Sequence, residues 1–244
     1  MQDRYAGDIG DFGKIGLLKT LQAQDLSVGV NWYHVKPMDI EKKPDGTFKQ
    51  EDGKYLIPIR LWTCDETLAE SLTKIAKSDD RSINAVERGD FVLNARYYND
   101  PVTAAGRDEW HKRALEKLKG VDIVFVDPDN GMLVKSIGKE SAKSIKYTFY
   151  EEVRDYVQQG QSVLIYNHRS RKQEIQYFHE ICSKLQKATG VPKTDILKIT
   201  FPKCSVRDYL AVPALAEHQK KIAAAFKIME QGIWGKTGMC RIPK

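Results

Sequence analysis

Apolar positions recur along this chain with two periods, and the two alternate. In "DIGDFGKIGLLKTLQAQD", Phe12, Ile15, Leu18 and Leu21 fall three residues apart, the spacing of one helix face. Asp8 or Asp11 caps its start, where a carboxylate meets unpaired amides and the positive end of the helix dipole. Gly13 and Gly16 strip one side of that helix to its backbone. Each costs roughly 1 kcal/mol in a helix interior, so close approach of a neighbouring helix or a ligand is expected there. "LSVGVNWYHV" then reads as a strand, and "YLIPIRLW" as an edge strand, because Pro58 cannot donate to a ladder.

The alternation continues to the end of the chain. "DETLAESLTKIAKS" is an amphipathic helix with Leu68, Leu72 and Ile75 on one face and Asp65 as its cap. "DFVLNARYY" is a strand and "TAAGRDEWHKRALEKLKG" a helix closed by Gly120. "VDIVFVD" is apolar on both faces, as a central parallel strand should be. "KYTFYEEVRDYVQQG" is a helix, "QSVLIYNH" a buried strand and "SRKQEIQYFHEICSKLQKATG" a helix. "DILKITF" and "RDYLAVPA" read as strands, and "EHQKKIAAAFKIMEQGIW" as the last helix. Strands alternating with helices predict a single α/β domain over 1–244 with a mostly parallel sheet flanked by helices. The charged stretch after Val35 holds two Asp-Gly turn signals and reads as a surface insertion at 36–54.

Composition narrows the partners. Hydrophobic residues make up 41% of the 244, enough for a core, and the formal charge is +6. A basic balance favours an anionic partner, nucleic acid first. No apolar run reaches membrane-spanning length and no signal peptide opens the chain, so no membrane partner is expected. Cys64, Cys182, Cys204 and Cys240 form no C-x-x-C pair, which argues against a zinc knuckle and points to reduced thiols in the cytoplasm.

Ligands of such sheets bind beyond the carboxyl ends of strands, and two polar loops follow the most apolar strands. In "VFVDPDNGM", Asp127, Pro128, Asp129, Asn130 and Gly131 end a strand. Asp127 and Asp129 could hold Mg²⁺ or Mn²⁺ through oxygen, with Asn130 assisting. Alternatively, Asp127 and the Pro128 carbonyl could accept hydrogen bonds from an exocyclic amine. A plain Asp-Asn-Gly turn is the third alternative. In "YNHRSR", His168 is a candidate acid/base group, and Arg169 and Arg171 are candidate phosphate ligands. Trp32, at the end of the first strand, and Tyr166 are candidate stacking platforms.

The order of these parts resembles that of Dam-type and ribosomal-RNA adenine N6-methyltransferases. Those proteins open with an A-G, a Lys or His and a leucine-rich helix, as "YAGDIGDFGKIGLLKTL" does, and later carry an apolar strand ending in D-P-P-Y, where "VFVDPDNGM" stands. The resemblance implies a Rossmann-type methyltransferase-like fold, a nucleic-acid substrate and S-adenosylmethionine as cofactor. It places Asp127 and Pro128 against the target amine, and Gly7, Asp8, Asp11, Lys14 and Asn31 around the cofactor. Two departures stand out: no G-x-G follows the first strand, and Asp129 and Asn130 replace the second proline and the stacking tyrosine. The D-x-D also resembles the opening of haloacid-dehalogenase-like phosphatases, but no later acidic pair with a suitable preceding strand accompanies it. Three functions follow: a divergent methyltransferase, a metal-dependent phosphoesterase or nuclease, and a non-catalytic nucleic-acid-binding protein on a degenerate methyltransferase fold.

Overall fold

The computed structural model describes residues 1–36, 56–169 and 173–243. The insertion expected at 36–54 therefore lies, except for Lys36, outside the described residues, as does Arg171. Six strands form the main sheet: β1 (Val28–Asn31), β2 (Arg96–Tyr98), β3 (Ile123–Val126), β6 (Ser162–His168), β7 (Leu197–Phe201) and β8 (Arg207–Val212). Their order is β2-β1-β3-β6-β8-β7. The first four are mutually parallel, and β8 runs antiparallel between β6 and β7. A two-stranded parallel pair, β4 (Gly131–Met132) with β5 (Tyr147–Thr148), stands beside the main sheet.

The two faces of the sheet bury separate cores. On one face Phe125, Leu164, Ile199 and Tyr209 pack under α1 (Ile9–Gln22), α2 (Glu66–Lys77), α3 (Ile83–Arg88), α7 (Ala216–Gln231) and α8 (Ile233–Lys236). On the other face Val124, Val126, Val163 and Ile165 pack under α4 (Arg107–Lys117), α5 (Tyr150–Gln158) and α6 (Glu174–Thr189). Successive side chains of a strand point to opposite faces, so covering both faces requires the unbroken apolar runs of β3 and β6. The expected α/β fold with a mainly parallel, helix-flanked sheet is therefore observed.

Asp8 caps α1: its Oδ1 accepts from the Gly10 and Asp11 amides at 2.6 and 3.0 Å. Gly13 and Gly16 of α1 admit aromatic rings, the one against Gly16 coming from α8. A Cβ on Gly16 would lie 2.4 Å from the Trp234 ring, and one on Gly13 would lie 2.9 Å from Phe201. Asp65 caps α2 by accepting from the Leu68 amide at 3.0 Å.

Three expected strands differ. The first, expected over 26–35, shortens to Val28–Asn31, and Tyr33 beyond it takes positive φ. Ile59–Cys64 is a 3₁₀ helix, not an edge strand. Pro58, with φ −60° and ψ 135°, is pre-set to enter that helix, and the Leu61 amide donates to its carbonyl at 2.8 Å. The strand expected over 90–98 shortens to Arg96–Tyr98, because Asp90 and Asn94 take positive φ. No helix among the described residues is long and apolar enough to cross a membrane. All four cysteines are free.

Candidate functional site

The chain leaves β1 toward β2 on one side and returns to β3 on the other. The carboxyl ends of β1 and β3 thus flank a topological switch point, where sheets of this class place ligands. Here that crevice is filled by the protein. Asn31 is fully buried and donates to the Tyr156 hydroxyl at 3.2 Å. Tyr33, also fully buried, donates to Glu152 at 3.0 Å. Glu152 in turn takes both Nε and Nη2 of buried Arg107, and the Met1 amine donates to the Trp32, Tyr33 and Asp127 carbonyls, each at 3.0 Å.

The open space lies one step along the sheet, over β3 and β6. It is a cavity of about 400 Å³, a size typical of small-ligand sites. Three segments meet there: the N-terminal segment with the start of α1, the loop after β3, and the ends of β6 and β8.

The loop after β3 is held on both sides. The Asp127 amide donates to the Asn31 carbonyl at 3.0 Å, and the Asn130 amide to the Lys146 carbonyl at 2.9 Å. The Asn130 carbonyl accepts from the His168 amide, and the Met132 amide donates to Asn167 Oδ1 at 3.0 Å. Gly131 has φ +103°, and a Cβ there would sit 2.2 Å from Asn167 Oδ1. Only glycine fits that backbone and that neighbour. Asp-Asn-Gly is therefore part of a fixed framework that aims Asp127 and Asp129, not a free surface turn.

Both carboxylates of the loop already have cationic partners. Asp127 Oδ2 lies 2.7 Å from Lys14 Nζ, and Lys14 also pairs with Asp11 at 3.1 Å and stands over the Tyr166 ring at 4.7 Å. Burial raises Asp127 above the ordinary carboxylate range, although Lys14 and the Met1 amine pull the other way. Burial also opposes the Lys14 ammonium, but Asp127 and Asp11 outweigh it and hold Lys14 well above its usual value. Asp129 pairs with the Met1 amine at 3.1 Å and accepts from Gln2. Burial alone would raise Asp129, but the amine prevails and its pKa is lowered.

The remaining titratable groups are shifted by the same enclosure. Burial, and then Asp11, push Asp8 up to about 6 against Lys14 and Arg207. Burial, with Arg207 and Lys14, lowers His168 to about 4, so its ring is neutral at neutral pH. That ring hydrogen-bonds the Tyr166 hydroxyl at 2.9 Å through Nε2. Tyr166 is raised to about 12, mainly by burial.

The structure thus gathers Asp8, Lys14, Asp127, Pro128, Asp129, Asn130, Tyr166 and His168 around one cavity. Other expected site residues stand elsewhere. Asn31 is buried behind the filled crevice. Trp32 is buried, stacks on Tyr97 and donates to Glu87, so it offers no platform to a ligand. Gly7 and Asp11 bond each other, with Asp11 fully buried at the foot of α1. Arg169 is engaged by Asp208 and Glu174 at 2.6 and 2.7 Å and is no phosphate ligand here. Residues not expected from the sequence also line the cavity, among them Arg4, Lys146, Ser205 and Arg207.

S-adenosylmethionine, which the resemblance places around Gly7, Asp8, Asp11, Lys14 and Asn31, meets only Asp8 and Lys14 of that set at the cavity; Asn31 and Asp11 are fully buried and engaged elsewhere. A divalent cation on Asp127 and Asp129 would have to displace Lys14 from one and the Met1 amine from the other. Among the described residues no group of three or more His, Cys, Asp or Glu is placed to hold a metal. Comparison with protein-family models and with curated proteins finds no match.

Proposed function

We propose that this protein binds nucleic acid on a methyltransferase-like fold, with the cavity over β3 and β6 as its nucleotide pocket. One observation carries this proposal. Lys146 and Arg207 stand on the wall of a space whose loop carboxylates are already neutralised from within the protein, by Lys14 and the Met1 amine. The balance left for a ligand is positive, as is the chain's formal charge of +6. The Pro128 carbonyl and the neutral His168 ring add uncharged hydrogen-bonding groups beside those cations.

Fluorescence polarisation with a labelled single-stranded oligonucleotide tests the proposal. Affinity should fall linearly with log salt, with a slope of about −0.7 per phosphate contacted. Lys146→Gln should weaken binding and make that slope shallower by about one contact. A salt-independent affinity, or no binding at low salt, refutes it.

Methyl transfer is the second reading. It is favoured by the meeting of Lys14 with Asp127, which joins the two segments on which the family resemblance rests. Against it stands the burial of Asn31 and Asp11 away from the cavity. Calorimetric titration with S-adenosylmethionine decides between them: measurable heat restores the second reading, and its absence at millimolar ligand removes it.

A further inference from the structure

Arg107 and Arg207, which are buried, and Arg169, which is half-buried, differ in how their charge is balanced. Arg107 is forked by Glu152 and also donates to the Tyr147 carbonyl, and Arg169 is held by Asp208 and Glu174. Arg207 is 5% exposed and forms no ion pair among the described residues. Its Nη1 donates to the Lys203 carbonyl at 3.3 Å, and its Nε is buried without a hydrogen-bond partner. Asp8, across the same cavity, attracts this guanidinium without pairing with it, so its desolvation is only partly compensated and a bidentate anion would offset the rest. Arg207 opens β8, and because β8 is antiparallel that places it at the carboxyl edge of β6, on the cavity wall.

We infer that Arg207 seats a terminal phosphate monoester, so that the cavity takes a nucleoside carrying a phosphate at its end. This rests on the proposal that the cavity is a nucleotide pocket. Charge favours an end over an internal phosphodiester: a terminal monoester carries a second negative charge, which the Arg207 guanidinium and the Lys146 ammonium on the cavity wall can meet together. The cavity, of about 400 Å³, is of small-ligand size. The amino end of α1 also faces this space, but its Gly10 and Asp11 amides are taken by the Asp8 carboxylate, so that helix end offers the phosphate no donors. Ser205 and Lys146 supply further donors, and Arg207's planar fork matches a phosphate dianion. The same chemistry is offered by the phosphorylated end of a single strand and by a free nucleoside monophosphate.

The test uses the full chain and one short single-stranded DNA, prepared with hydroxyls at both ends, with a 5′ phosphate, or with a 3′ phosphate. Nucleoside monophosphates, the unphosphorylated nucleosides and inorganic phosphate serve as competitors. One phosphorylated form should bind at least about tenfold more tightly than the strand with two hydroxyl ends. R207Q should abolish that preference, with its fold checked by thermal unfolding. Inorganic phosphate should compete with wild-type protein, which needs no variant. Equal affinity for all three strands, with no competition by phosphate, overturns the inference while leaving nucleic-acid binding intact. Arg207-dependent binding of mononucleotides with no strand bound supports the phosphate seat and overturns the nucleic-acid proposal. Failure of every probe overturns both.

Discussion

Replacing Asp8 by asparagine should stabilise this protein at neutral pH, and the size of the effect follows from the site. The carboxyl group is 8% exposed, and burial together with Asp11 raises its pKa from an ordinary 3.8 to about 6. The native state therefore holds the proton better than the unfolded chain does. Asp8 is fully tolerated only below its unfolded pKa, and stability is lost as pH rises from about 4 through about 6. At about 1.4 kcal/mol per pH unit, the difference approaches 3 kcal/mol above that window. Asparagine caps a helix about as well as aspartate and retains an oxygen for the Gly10 and Asp11 amides. It forfeits the attraction of a charge to the helix dipole, so the expected gain is about 1–3 kcal/mol at pH 7.5. For a domain of this size, ~2 kcal/mol corresponds to roughly 4–8 °C in Tm. Thermal unfolding followed by circular dichroism at pH 7.5 and pH 4 measures it. The gain should be present at pH 7.5 and shrink to a few tenths of a kcal/mol at pH 4. A gain of equal size at both pH values, or a loss at pH 7.5, would refute the electrostatic account.

Three further outcomes are expected. Lys14→Met should lower stability by about 3–5 kcal/mol in urea denaturation, because it strands two buried carboxylates; combining it with Asp127→Leu should cost less than the two single changes summed. Gly131→Ala should lower Tm by several degrees through the positive φ and the Asn167 contact, a loss of about 2 kcal/mol or more. His168 should remain neutral well below the pH at which an ordinary histidine titrates. Its folded pKa of about 4 means that it contributes stability above the unfolded value, lost as pH falls from about 6.5 toward 4. Side-chain ¹⁵N NMR over the five histidines checks this, and titration of every ring near pH 6.5 would contradict it.

Much of the fold was legible because α1, β3, β6 and α7 carry strong periodic or apolar patterns. Ile59–Cys64 misled because Ile59, Leu61 and Trp62 look like strand residues, while the proline before them starts a 3₁₀ helix. α3 has only six residues, too few to display a period, and was not anticipated. At the site, Lys14 and Asp127 are 113 residues apart, and only the family resemblance linked them. Arg169 looked like a phosphate ligand because its neighbours in sequence are basic. Its carboxylate partner Asp208 lies on β8, which β-pairing brings beside β6 from 39 residues away. Arg207 was overlooked for the same reason. Nothing local to "RDYLAV" reveals that the strand runs backward and delivers its first residue to the carboxyl edge.

The reversed strand also separates selectivity from architecture. In the parallel part of the sheet each connection must carry the chain back across the whole layer, so altering it disturbs a helix and a core. β7 and β8 are joined instead by the short bend at 202–206, which contributes Ser205 to the cavity and touches neither helical layer's core. Its length and side chains can drift, or be grafted, without re-threading any crossover. That hairpin tip is where relatives of this chain could diverge in ligand preference while keeping the same scaffold, and where a designer wishing to retarget the pocket should begin.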